Sequence, residues 1–219
     1  MFSLGKAAAI GAAVAAMLAT VPANAAARKR HQLPGVLTPY TCIDSADDSA
    51  SSQFVTVVYG ARREGFITAQ LTDNNYFVSP TANSAGAVLD GLEGTAFSSF
   101  STDIVSSTLP PDLSLLKFKF FGDDSDTNNL TVNVTAGNAT LTVGKNRGDR
   151  TTPPRGYTRF TFTSNQLGSN FAQISQVFIE LRANGSNTTV GPVTFGHVVV
   201  NGSITPTNNF KLTGCPLNN

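Results

Sequence analysis

The sequence predicts an all-β protein, an antiparallel two-sheet β-sandwich of jelly-roll type. Three observations carry this. Apolar and polar residues alternate with a period of two in segment after segment from Gln53 onward, the pattern of strands with one buried face. No stretch of comparable length shows the i, i+3, i+4 apolar spacing of a helix. Between the alternating segments lie breakers: Asp73-Asn74-Asn75, Pro110-Pro111, the polar run Gly122 to Asn129, Pro153-Pro154, and Asn184 to Asn187.

The first 25 residues read as an export signal. Lys6 precedes an apolar and small run from Ala7 to Val21, and Ala23-Asn24-Ala25 supplies small residues where a signal peptidase cuts. The run is too short to span a bilayer as a mature helix. Residues 26–41, with the basic cluster Arg28-Lys29-Arg30, are expected to form a flexible tail, and residues 42–219 the sandwich domain.

Strands are expected at Phe54 to Tyr59, Gly65 to Thr72 and Tyr76 to Ser79. Ala82 to Thr108 shows no clear pattern, and Leu89 to Leu92 could make a short helical turn. From Leu115 to Phe121 the alternation is clean: Leu116, Phe118 and Phe120 share one face, Lys117 and Lys119 the other. Leu130, Val132 and Val134 sort from Thr131, Asn133 and Thr135, and Leu141 and Val143 from Thr140 and Thr142. Ala136-Gly137-Asn138 between these two segments suggests a hairpin. Tyr157 to Thr163, Ile174 to Arg182 and Val193 to Asn201 complete roughly nine or ten strands, enough for two sheets packed through their apolar faces.

Cys42 and Cys215 are the two cysteines of the chain. An even count in an exported protein argues for a bond between them, clasping the first strand to the last. The chain carries 15 Lys and Arg against 14 Asp and Glu, and loss of Lys6 with the leader balances the two. A neutral body with 13% charged residues excludes a nucleic-acid partner. With the leader removed no membrane span remains, and neither a lipobox cysteine nor a second apolar segment predicts an anchor.

Three C-terminal segments carry a family resemblance: the Tyr157 to Thr163 strand after a Gly/Pro loop, the strand Ile174-Ser-Gln-Val-Phe-Ile-Glu-Leu181, and the closing Gly191-Pro-Val-Thr-Phe-Gly-His-Val-Val-Val-Asn201-Gly. From about Ser114 to Ser203 the chain resembles the galactose-binding-like jelly rolls of extracellular carbohydrate-binding modules. The resemblance implies a sandwich fold and a glycan ligand. Gly196-His197-Val198 stands where those modules carry an acidic pair, and the chain has no Trp for a sugar platform.

Enzymatic chemistry finds no support in the sequence. Glycoside hydrolysis needs two carboxylates facing one bond, whereas Glu64, Glu93 and Glu180 lie in unrelated contexts, Glu180 as a solvated strand residue. No Gly-x-Ser-x-Gly elbow occurs. His197 is a lone histidine, read as packed or half-exposed. Asp123, Asp124, Asp126 and Asn128 form an acidic loop that tests weakly as a structural calcium site. It lacks the glycine and the bidentate glutamate of an EF-hand, and a solvated turn is the simpler account. No other cofactor is expected. Asn-x-Ser/Thr sites at Asn129, Asn133, Asn138, Asn184, Asn187 and Asn201 would carry glycans only in a glycosylating host.

The candidate ligand-binding set is Tyr157 and Arg159 on one strand, Glu180 and Arg182 on another, Lys117 on a third, and Tyr76 at a loop edge. Were these strands neighbours, rings and planar polar groups would make a patch able to hold sugar hydroxyls. The expectation is therefore a secreted, non-catalytic module that binds a glycan or extracellular surface component. The alternative is a structural or adhesive subunit of an extracellular layer, filament or matrix, assembling by strand donation to a sheet edge.

Overall fold

A computed structural model describes residues 35–42, 49–72, 84–122, 129–133, 138–145, 152–182, 189–213 and 215–216. Among the described residues, fourteen strands build two sheets. They are β1 Val36–Cys42, β2 Ser49–Tyr59, β3 Arg62–Thr72, β4 Ser84–Asp90, β5 Thr95–Ala96, β6 Ser99–Val105, β7 Leu116–Gly122, β8 Asn129–Asn133, β9 Thr140–Val143, β10 Tyr157–Thr163, β11 Gln173–Arg182, β12 Val190–Val200, β13 Ser203–Ile204 and β14 Leu212–Thr213. The first sheet has the order β14-β1-β4-β11-β7-β8 with β5 beside β11; the second has the order β2-β3-β12-β6-β10-β9 with β13 beside β12. All pairs are antiparallel except β1 with β14. The chain passes back and forth between the two sheets, as expected for a jelly roll.

The facing surfaces form one core. Leu116, Phe118 and Phe120 point inward from β7 as the alternation predicts, and meet Phe100 of β6 and Phe160 and Phe162 of β10. The rings interlock, Phe118 and Phe162 at 4.7 Å between centroids and Phe100 edge-on to Phe120 at 5.6 Å. All five have no exposed surface, and each contributes about 1.5–3 kcal/mol through burial.

Four expectations are corrected. Val36–Cys42 is strand β1 and not tail; it pairs along its length with β4. Ala82 to Thr108 holds the well-paired strands β4 and β6, and Leu89 lies in β4 rather than in a helical turn. β8 and β9 are no hairpin: β8 pairs with β7 in the first sheet and β9 with β10 in the second. Leu141 and Val143 are 43% and 66% exposed, because β9 is the last of the described strands in its sheet.

Cys42 and Cys215 are joined across a sequence separation of 173, with Cα atoms 4.5 Å apart. The bond ties β1 to the segment after β14, the first-to-last clasp expected. The acidic loop Asp123, Asp124, Asp126 and Asn128, the Tyr76 segment and the segment expected to be an export signal lie outside the described residues. No helix among the described residues is long and apolar enough to cross a membrane.

Candidate functional site on the outer face of the second sheet

Alternation along β6 sends Phe100, Thr102 and Ile104 to the core and Asp103 to the outer face. There it stands directly opposite Arg159 of β10 and Gly196 of β12. Asp103 has no exposed surface, and three hydrogen bonds from two side chains compensate its charge. Arg159 donates from Nε to Oδ1 at 2.7 Å and from Nη2 to Oδ2 at 2.8 Å, and the Tyr59 hydroxyl donates to Oδ2. The bidentate hydrogen bond to Asp103 raises the Arg159 pKa, with burial opposing. Burial, then the hydrogen bond to Asp103, pushes the Tyr59 phenol up.

Tyr59 reaches Asp103 from β2, three strands away in the sheet, because Gly196 leaves space between. A Cβ on Gly196 would fall 2.6 Å from the Phe66 ring, so Phe66 lies flat over this glycine as the floor of the site. Tyr59 and Tyr157 flank it at 5.8 and 5.7 Å between centroids. The Tyr157 hydroxyl donates to the Val58 carbonyl at 2.7 Å, and burial raises its pKa.

β12 carries an irregularity between Gly196 and Val199. His197 within it has φ +46°, a conformation uncommon for a side-chain-bearing residue. Bulges of this kind redirect side chains. Here the imidazole stacks on Tyr59 at 4.4 Å and 21° and donates from Nδ1 to Glu64 Oε2 at 2.7 Å. A continuous chain of polar contacts and stacked rings thus runs Arg159–Asp103–Tyr59–His197–Glu64.

Beside this chain is a groove of about 290 Å³, where residues 204–207 pass the start of β3. Phe54, Glu64, His197, Ile204, Pro206 and Thr207 line it. A larger recess of about 640 Å³ lies at another place, between Phe97 and the turn from Ser164 to Ala172; among the described residues its lining has hydroxyls and the Asn165 amide but no titratable group.

The expected binding set does not converge. Tyr157 and Arg159 belong to the second sheet, whereas Lys117, Glu180 and Arg182 project from the outer face of the first, with the core between. Glu180, expected to be solvated, is fully buried. It accepts from the Tyr40 hydroxyl at 2.5 Å and from Arg182 Nε at 2.5 Å. Tyr40, Gly86, Glu180 and Lys117 stand side by side across β1, β4, β11 and β7, and the missing side chain of Gly86 lets the phenol cross to the carboxylate. Lys119 sits over Phe121 and Phe178, at 5.0 and 5.7 Å, and burial lowers its pKa and that of Lys117.

The sequence reading missed Tyr59, Glu64, Phe66 and Asp103. The one signal for Asp103 was that it is the single acidic residue of Ser99 to Val105, a stretch whose pattern did not otherwise show a strand. Among the described residues, no cluster of three His, Cys, Asp or Glu side chains is placed to hold a metal ion.

No protein-family profile matches the chain, and no curated protein does. Among solved structures, the family 11 carbohydrate-binding module of the cellulosomal cellulase Lic26A-Cel5E of Clostridium thermocellum aligns with it at 9% identity and a TM-score of 0.36. The alignment covers 78% of this chain and 89% of that one. The likeness transfers neither residues nor a ligand.

Proposed function

We propose that the chain is a secreted, non-catalytic β-sandwich module that binds carbohydrate in the groove beside Glu64 and His197. The observation that supports this most is the fixed imidazole–carboxylate pair at the rim of an open groove that also holds the Phe54 ring, Ile204 and Pro206. Sugars present hydroxyls around an apolar ring face, and sites for them combine convergent hydrogen-bonding groups with apolar walls. The groove has room for about one sugar ring, at the low end of ligand-site volumes. Tyr157 and Arg159 support the site from beneath, by holding Asp103 and Tyr59.

The export signal and the Cys42–Cys215 bond support an oxidising, extracellular setting. The test is affinity electrophoresis in gels containing neutral and acidic polysaccharides. Retardation on at least one is expected. Glu64→Gln and His197→Ala should each weaken it about tenfold, the worth of one lost charge-assisted hydrogen bond. Arg182→Met on the other sheet and Asn165→Ala in the larger recess should leave it unchanged. Migration unaffected by every polysaccharide would end the proposal, and sensitivity to Asn165→Ala alone would move the site to the recess.

A further inference from the structure

Strand β9 ends the second sheet, pairing with β10 and with no other described strand. The Gly144 N–H donates to the Tyr157 carbonyl at 2.8 Å, and antiparallel pairs alternate between bonded and non-bonded. Thr140, Thr142 and Gly144 therefore turn their backbone groups toward β10, while Leu141 and Val143 turn theirs to the open edge. The side chains of Leu141 and Val143 stand opposite Phe160 and Thr158, both buried on the core side, yet are themselves 43% and 66% exposed. An edge with unpaired backbone and a half-covered apolar face is a template for another strand, and natural proteins block such edges with charge, Pro or a bulge. Thr140–Val143 contains none of these.

We propose that a second copy of this chain occupies the edge, β9 pairing antiparallel with β9 about a two-fold axis at Thr142. The sequence is self-complementary in this register. Leu141 of one copy stands opposite Val143 of the other, twice, on the core side, and both residues have the outward backbone groups that the pairing needs. Thr142 faces Thr142 on the outer side. A shift by one residue would set each apolar side chain against an outward threonine. Lys145 falls opposite Ala139 of the other copy, so the two ammonium groups lie at opposite ends of the pair. The contact is isologous and closes at the dimer. It joins two second sheets into one and carries two copies of the groove beside Glu64 and His197, so a polymeric ligand is held bivalently. The dimer stands whether or not that ligand is a carbohydrate.

The register gives a specific test. Thr142 of both copies form a non-bonded pair, with Cα atoms about 4.5 Å apart, within reach of a disulfide. In the purified full chain, Thr142→Cys should yield a covalent dimer under mild oxidation, and Thr161→Cys, on the outer face of β10, should not. Sedimentation should show reversible dimers whose share rises with concentration, and Val143→Lys should weaken them about tenfold or more with the circular dichroism spectrum unchanged. A strictly monomeric protein at about 1 mM, far above the range of weak specific contacts, would overturn the inference. So would dimers indifferent to Val143→Lys, or equal cross-linking at 142 and 161.

Discussion

Arg159 grips Asp103 with both arms of its guanidinium, although the carboxylate has no exposed surface and the arginine side chain only 14%. Removing one partner of such a pair strands a buried charge, which costs about 3–5 kcal/mol, whereas replacing both by apolar groups is often neutral. Arg159→Met should therefore lower the unfolding free energy in urea by about 3 kcal/mol. Adding Asp103→Leu should recover most of that loss. A double variant no better than the single would show that the pair does not act as a unit.

Three phenols, Tyr40, Tyr59 and Tyr157, have pKa values raised above 10, with burial the largest cause in each. The sign follows from linkage. Below about pH 10 the phenols are neutral in both states and the preference of the fold for the neutral form is fully present. Above it the unfolded chain releases protons that the folded one retains, so stability falls with rising pH. The urea midpoint should drop steadily above about pH 10, and phenolate absorbance of the native protein should lag that of the denatured chain. Coincident titration curves would refute the burial of these hydroxyls.

Gly196→Ala places a methyl group 2.6 Å from Phe66. Overpacking of this kind costs about 1–3 kcal/mol. Because Phe66 is the floor under Tyr59 and Tyr157, the same change should also weaken ligand retention. Phe66→Leu combined with Gly196→Ala should restore the urea midpoint toward that of Phe66→Leu alone, since the smaller side chain leaves room for the methyl. A Gly196→Ala protein of full stability would mean that the ring is free to move.

Loss of the Cys42–Cys215 bond opens a loop of 173 residues. Chain entropy sets the stabilisation at up to about 5 kcal/mol, a large part of the 5–15 kcal/mol of a typical domain. The Cys42→Ser, Cys215→Ser protein should therefore unfold at a much lower urea concentration. An unchanged midpoint would show that β14 docks on β1 without covalent help.

Much of the fold was legible where a strand has one wet and one dry face. β10 was read at its observed bounds, Tyr157–Thr163, and β7 and β11 nearly so, because Phe and Val alternate there with Lys, Thr and Arg. β1 and β4 were not legible for the opposite reason. Residues Ser84 to Leu89 are buried on both faces, so small and apolar side chains follow one another without period. Turn chemistry misled between β8 and β9, since Gly and Asn mark a turn without saying which strands it joins. At the candidate site, the outward direction of Arg159 could be read from its strand alone. Which strands lie beside it could not, and that separated Glu180 and Lys117 from Tyr157. The role of His197 depends on a break in register that local pattern does not encode.

The sulfur bridge also decides how the domain answers to mechanical load. Tension applied to the chain ahead of Val36 and beyond Cys215 runs along β1 to Cys42 and leaves directly through the bond to Cys215. The 172 residues between the two cysteines are out of the line of force. Pulling can strip β1 from β4, but it cannot extend the residues between the two cysteines until a covalent link gives way, so the second sheet stays whole under drag.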